Sequence, residues 1–295
     1  MKTSNVNTLD EFIALGTRDW NPMHKWVYRG VPDSEFSLRP VIGRLPRLRD
    51  GKVNAFDMLN KERMLLEGFK RRAPAYSEKS PVGDLDWLCL ARHYGLATRL
   101  IDWTENPLVA LFFAAHPDRS TEFAVYRYWF SSWLGEKHTM DLKTIQKQKE
   151  SLIFYPRLTT ERFVRQSSAF LLCHKPWEDF DYAPSPENLT KIVFPAEARI
   201  RIRHQLKMLG MTPSFVRPDL DGLCEDLNDH VLYREKFWFP FPPIEGPNPL
   251  HESPEQDEPG KEKQNKSAPS KSIKREAERL RTRSARTHQE PRTGR

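Results

Sequence analysis

The stretch from Trp87 to Ala115, WLCLARHYGLATRLIDWTENPLVALFFAA, holds two helices and a polar connection in little space. Trp87, Leu90, Ala91 and Tyr94 recur at spacings of three and four, which predicts a helix over Asp84 to Tyr94 with Asp84 as its cap. Gly95 stops it, because a residue without Cβ takes the left-handed conformation at a helix C-terminus cheaply. Asn106 can accept orphan N–H groups as the next N-cap, Pro107 sits where its missing N–H costs nothing, and Leu108, Leu111, Phe112 and Ala115 line a face. Between the caps lies Thr98-Arg99-Leu100-Ile101-Asp102-Trp103-Thr104, with a cation, a carboxylate, two hydroxyls and an indole among apolar helices. Such groups must find partners if they are buried.

Working outward, Thr8-Leu9-Asp10-Glu11 has the form of a capping box opening a short N-terminal helix. Trp26-Val27-Tyr28 reads as a strand that delivers Arg29 and ends at Gly30. A long helix is predicted from Phe56 to Ala73 with Leu59, Leu66 and Phe69 inward. Beyond Ala115, Phe123 to Trp129 is a strand, Asp141 to Glu150 a polar surface helix, and the apolar runs 152–155, 169–173 and 192–194 are buried strands. Helices over Ala198 to Leu209 and Leu220 to His230 follow, and the aromatic and proline run Phe237 to Pro243 is expected to pack across the body.

His93-Tyr94-Gly95, Thr98 to Thr104, Asn106-Pro107 and Ala110 to Ala114 together resemble the central signature of the FRG domain family. Tyr28-Arg29-Gly30 stands where that family carries its aromatic-Arg-Gly motif. Leu38-Arg39-Pro40 with Arg44, Glu67 to Arg71, Gln166 before Phe170, and Pro218 to Leu223 follow in order, so the resemblance covers about Trp26 to Leu227. Two departures are visible: Arg92 where many members have Gln, and Gln166-Ser167-Ser168 where a glycine is usual.

Through its motif order the family in turn is similar to ADP-ribosyltransferases, which break the nicotinamide–ribose bond of NAD and pass ADP-ribose to an acceptor. The resemblance implies NAD as co-substrate, Arg29 on the dinucleotide with Tyr28 and Gly30 beside it, and Thr98 or Thr104 near the nicotinamide. His93, Tyr94 and Arg99 join the binding residues. For the third catalytic position Gln166 is best placed, with Asp102 and Glu161 as alternatives that spacing does not separate. A protein or nucleic-acid acceptor and a bacterial toxin or phage-defence setting are further implications. The same residues also support a non-catalytic module that binds a nucleotide or protein partner. In that reading Arg29 and Asp102 form a structural ion pair, Arg99 pairs with Asp102 or with chain ends, His93 caps its helix, Tyr94 and Trp103 are core, and Gln166 satisfies backbone groups.

The net charge of +7 is unevenly placed. Lys261 to Arg295 holds twelve Lys and Arg against four acids, whereas residues 1–260 hold 35 against 36. No Phe, Trp or Tyr occurs from Glu245 onward, so a disordered basic tail able to contact nucleic acid is expected there. Three scattered cysteines argue for a reducing, cytoplasmic compartment, and neither a metal site nor a membrane span is expected. The expectation is one α+β domain with a bent or split mixed β-sheet flanked by helices, built on an ADP-ribosyltransferase-like core. Residues 1–25 would form a helical extension, 26–244 the FRG domain and its C-terminal helices, and 245–295 the tail.

Overall fold

The computed structural model describes residues 1–18, 25–44, 54–76, 81–130, 133–135, 140–157, 160–180 and 188–231. The Phe237 to Pro243 run and the basic tail lie outside them. Seven strands form one mixed sheet in the order β1-β7-β4-β2-β3-β6-β5, so the α+β class holds. Their ranges are β1 Lys2–Asn5, β2 Lys25–Val31, β3 Leu100–Thr104, β4 Phe123–Phe130, β5 Leu152–Phe154, β6 Ser168–Leu172 and β7 Leu189–Phe194. Only β1 and β7 pair in parallel among these neighbours. The N-terminal segment thus carries an edge strand in addition to its helix, α1 (Leu9–Thr17), whose Thr8–Glu11 capping box is formed. Lys2 to Asn5 has too polar a sequence to announce itself as a strand; pairing with β7 supplies its order.

The sheet is split at its centre. Strands β2 and β4 pair over seven residues and β3 and β6 over five, but β2 meets β3 only at Tyr28 opposite Thr104. A continued ladder would set Gly30 opposite Asp102. Instead the Arg29 side chain crosses the gap and its Nη1 donates to the Asp102 carbonyl at 2.6 Å. Arg29 and Gly30 lie inside β2, which continues to Val31 rather than ending at the glycine.

Helices cover one face of the sheet in two groups, one on each side of the split. Beside β2 and β4, α1 packs with α4 (Pro107–Ala115), α7 (Ala198–Met208) and α8 (Pro213–Val216) around Phe12, Leu111, Phe123 and Phe194. Beside β3, β5 and β6 stand α2 (Ala55–Arg72), α3 (Asp84–His93), α5 (Leu142–Gln146) and α6 (Glu161–Arg165), around Leu66, Leu88, Phe154 and Phe170. The opposite face holds a third cluster with Val27, Ile101, Trp103 and Leu171, closed by Leu38 and Phe180 from loops.

Several local expectations need correction. Gly83, not Asp84, is the N-cap of α3; Asp84 instead accepts from Leu142 and pairs with Lys70. Met58, Glu62 and Leu66 are the buried residues of α2, and α5 turns Leu142 and Ile145 inward instead of lying wholly on the surface. α9 (Leu220–Val231) presents Leu220, Leu223 and Leu227 to solvent. It docks through Glu225, Asp226 and Asp229 onto Arg217, Lys207 and Arg203.

Candidate functional site

α3 ends as the sequence indicates. Gly95 has φ +85°, Leu96 N–H donates to Ala91 and Gly95 N–H to Arg92, so orphan carbonyls are satisfied while the chain reverses. The reversal leaves Arg92 and His93 on the last turn, directed at the gap between the two helix groups. α4 starts with Asn106 accepting from Leu108 N–H, and it lies close on β2. At Gly30 an added Cβ would stand 1.8 Å from the Ala110 carbonyl oxygen, so only glycine fits this contact.

Above the split, between these elements, is a cavity of about 410 Å³. Tyr28, Arg29 and Gly30 line it from β2, and Asp102, Trp103 and Thr104 from β3. Arg92 and His93 come from α3, Val109, Ala110 and Phe113 from α4, Arg162 and Phe163 from α6, with Gln166 after it, and Ser168 and Phe170 from β6. Of the residues singled out in the sequence, Tyr28, Arg29, Gly30, His93, Asp102, Thr104 and Gln166 therefore meet in one place. Thr98, Tyr94 and Arg99 do not. The Thr98 hydroxyl is buried and accepts from Leu100 N–H in a local turn, and the Tyr94 side chain stands 69% exposed outside the cavity lining.

Arg99 is not paired with Asp102. It lies fully buried, donating from Nε and Nη2 to the two oxygens of Glu62 at 2.7 and 2.6 Å and from Nη1 to the Cys173 carbonyl. The partner of Asp102 is Arg92, which forks onto its carboxylate at 2.5–3.1 Å, with Arg29 Nη1 at 3.6 Å from the same group. Spacing could not reveal this pair, because it depends on how the Gly95 turn brings the end of α3 back over β3.

Asp102 keeps 45% of its side chain accessible, whereas Arg29 and Arg92 are each 17% accessible. Burial favours the neutral acid, but the charge and hydrogen bonds of Arg92, with Arg29 behind them, hold the carboxyl below the usual carboxylate range. Burial, reinforced by the Arg162 guanidinium, pushes the His93 imidazole down, so His93 is neutral near pH 7; its ring packs edge-on against Phe163.

Two polar groups at the cavity are already engaged. The Thr104 hydroxyl donates to the Gln166 carbonyl at 2.5 Å and accepts from Asn106 N–H, and the Gln166 amide donates to the Val216 carbonyl. Together with Ser167 at φ +44°, whose carbonyl accepts from Glu105, these bonds tie the end of β3 to the α6–β6 turn. Two others are unengaged: among the described residues Arg162 has no carboxylate partner and the Ser168 hydroxyl makes no hydrogen bond.

The class so defined is an α+β domain whose split mixed sheet carries a cation-rich cavity over the split. The FRG domain matches residues 24–122, a span that contains β2, α3, β3 and α4, so the chain carries an FRG domain there. The match ends before α6 and β6, so Arg162, Gln166 and Ser168 lie beyond it. No curated protein and no solved structure matches the chain. Among the described residues no cluster of three or more His, Cys, Asp or Glu could hold a metal, and no helix is long and apolar enough to cross a membrane.

Proposed function

We propose that the cavity binds a nucleotide and that the protein is an NAD-dependent ADP-ribosyltransferase acting on a macromolecular acceptor. The observation that carries this reading is the ionised carboxylate of Asp102, pinned by Arg92 and Arg29 yet open to a cavity also lined by a guanidinium, that of Arg162, with no ion pair among the described residues. The volume lies within the roughly 300–1,000 Å³ of small-molecule sites, and Phe113, Phe163 and Phe170 offer apolar wall to a ring.

ADP-ribosyl transfer develops positive charge on the ribosyl anomeric carbon as nicotinamide leaves with the bonding electron pair. A carboxylate held in place by two guanidiniums faces that charge without reorganising. The acceptor's nucleophile bonds to the same carbon and releases its proton, which neutral His93 can take. Tyr28, Arg29, Gly30 and Thr104 then shape the pocket, whose floor is tied by the Thr104 hydroxyl donating to the Gln166 carbonyl and the Gln166 amide donating to the Val216 carbonyl. NAD consumption of this kind would serve a bacterial toxin or phage-defence protein.

A second reading, a non-catalytic nucleotide-binding module, is favoured by one specific observation: the Gln166 amide and Thr104 hydroxyl are committed to the protein's own groups. Incubation with NAD labelled in the adenosine moiety, in the presence of protein and nucleic-acid fractions, separates the two. Transfer of label that Asp102→Asn abolishes while binding persists supports the enzyme. Binding without nicotinamide release supports the module, and absence of binding removes both.

A further inference from the structure

The cavity is electrically polarised along the sheet. In the β3–β6 ladder Asp102 lies opposite Phe170 and Thr104 opposite Ser168, so Asp102 and Ser168 are diagonal neighbours on the same face. Side chains so related stand about 7–8 Å apart. At the Asp102 end the guanidiniums of Arg92 and Arg29 are spent on the carboxylate and on its backbone carbonyl, and the exposed group is an anion. At the Ser168 end the groups lining the cavity are donors: the hydroxyl of Ser168, itself 8% exposed, and, from α6 above it, the partly buried Arg162. Several neighbouring groups are occupied, and Asp219, which also acts on His93, accepts from Gly222 N–H. Arg165 is held by Glu161, Arg217 by Glu225, and the Gln166 amide by Val216. Arg162 lines the same cavity as His93, where its charge adds to burial in lowering the imidazole's pKa.

A guanidinium and a hydroxyl without partners among the described residues, next to a neutral imidazole, fit a phosphate, because an Arg fork matches two of its oxygens and a hydroxyl can donate to a third. The carboxylate at the other end repels anions and attracts electropositive carbon. We infer that Arg162 and Ser168 form a phosphate subsite for the 5′-phosphate of a ribose whose anomeric carbon faces Asp102. This rests on the nucleotide reading for the ribose, but the anion subsite itself follows from the unpaired donors. The short separation between the two ends suits a single ribose 5′-phosphate, so one nucleotide unit fills the polar part of the cavity.

The test is calorimetry on the full chain with four probes: pyrophosphate, nicotinamide mononucleotide, nicotinamide riboside and NAD. In the wild-type protein the mononucleotide binds about tenfold or more tightly than the riboside, since a charge-assisted fork is worth that much. Arg162→Gln brings the mononucleotide down to the riboside's affinity and leaves the riboside unchanged, and Ser168→Ala produces a smaller loss of the same kind. Equal losses for riboside and mononucleotide, or no loss for either, overturn the subsite. Pyrophosphate distinguishes the two levels of the argument. If it binds the wild type and not Arg162→Gln while no nucleoside-bearing probe binds, the subsite stands and the nucleotide reading falls. If nucleotides bind the wild type and Arg162→Gln alike, the reverse holds.

Discussion

Two arginine–carboxylate forks stand within one short stretch of this chain and end in opposite situations. Arg99 closes on Glu62 with side-chain exposures of 0% and 2%, and Gln146 Nε2 donates to the same carboxylate. Arg92 closes on Asp102 with comparable distances, but Asp102 remains 45% accessible above the split in the sheet. Identical pairing chemistry therefore yields a sealed bolt in one place and an exposed, ionised group in the other. What separates them is the surrounding packing: α2, α3 and β3 meet around Glu62 and Arg99, whereas α3 and α4 stand apart over Asp102.

The largest effect should come from opening the sealed fork. Glu62→Gln leaves the Arg99 guanidinium uncompensated in the interior, and removal of one partner of a buried pair typically costs about 3–5 kcal/mol. At Asp102→Asn solvent in the cavity can solvate the released guanidiniums, so the expected cost is about 1 kcal/mol or less. Urea denaturation of the two variants checks the comparison directly. Equal losses would mean that accessibility does not distinguish the pairs, and the case for Asp102 as an available group would go with it.

Next in size is the wall of the open site. With β2 lying on α4 at Gly30, Gly30→Ala must push the Ala110 carbonyl away, and overpacking of this kind costs about 1–3 kcal/mol. Because α4 also carries Val109 and Phe113 into the cavity, ligand affinity should fall along with thermal stability. A variant that melts normally and binds normally would show that β2 and α4 can separate without consequence for the site.

How much of this contrast was visible beforehand depends on whether the determinant was local. The Schellman turn at Gly95, the Asn106-Pro107 start of α4 and the Thr8 box are encoded in a few adjacent residues, and each formed where the residues indicated. The class of fold was legible in the pattern of elements, and the meeting of Arg29 with Asp102 was expected as the structural alternative to ligand binding. Which carboxylate Arg99 would choose was not legible, since Glu62 lies on a different helix 37 residues earlier. In the sequence Ser168 stands out only as a departure from the family's pattern and Arg162 not at all, because a serine beginning a strand and an arginine on a short polar helix look like surface until the register sets Ser168 opposite Thr104 and α6 brings Arg162 to the cavity. Arg199 is a further case. It is buried and donates to carbonyls of Ala114, Pro117, Pro32 and Thr121, holding the end of α4 with no carboxylate in salt-bridge contact among the described residues, and nothing in its neighbours along the chain announces that.

A third base–carboxylate contact, between the sealed and the open cases, sharpens the comparison by pH. His116 Nε2 lies 2.5 Å from Glu225 at the end of α4, but burial, together with the charges of Arg203, Arg217 and Lys207, pushes the imidazole down to about 4. Glu225 is itself engaged by Arg217, which weakens its hold on a proton at His116. The unfolded chain protonates this histidine near 6.5, so between 6.5 and 4 it binds a proton that the folded chain refuses. Stability is therefore full above 6.5 and falls as the pH drops toward 4, by about 1–3 kcal/mol. Urea midpoints of the wild type and His116→Gln at pH 7 and pH 4.5 measure it; the variant should lose less on acidification. A parallel decline would assign the acid sensitivity to other groups.

The smallest effect on folding is expected where the largest effect on binding is proposed. Arg162 makes no ion pair among the described residues and sits on a short helix, so Arg162→Gln should change stability by no more than about 0.5 kcal/mol. A group that stabilises nothing, at the wall of a cavity and beside an unengaged hydroxyl, has its interaction energy still available to a ligand. Arg99 has spent the same chemistry on the fold. The decisive pairing of measurements is thus stability and phosphate affinity in one variant. If Arg162→Gln melts several degrees lower, the guanidinium has a structural partner and belongs with Arg99; if it melts with the wild type and loses pyrophosphate, it belongs with the open site.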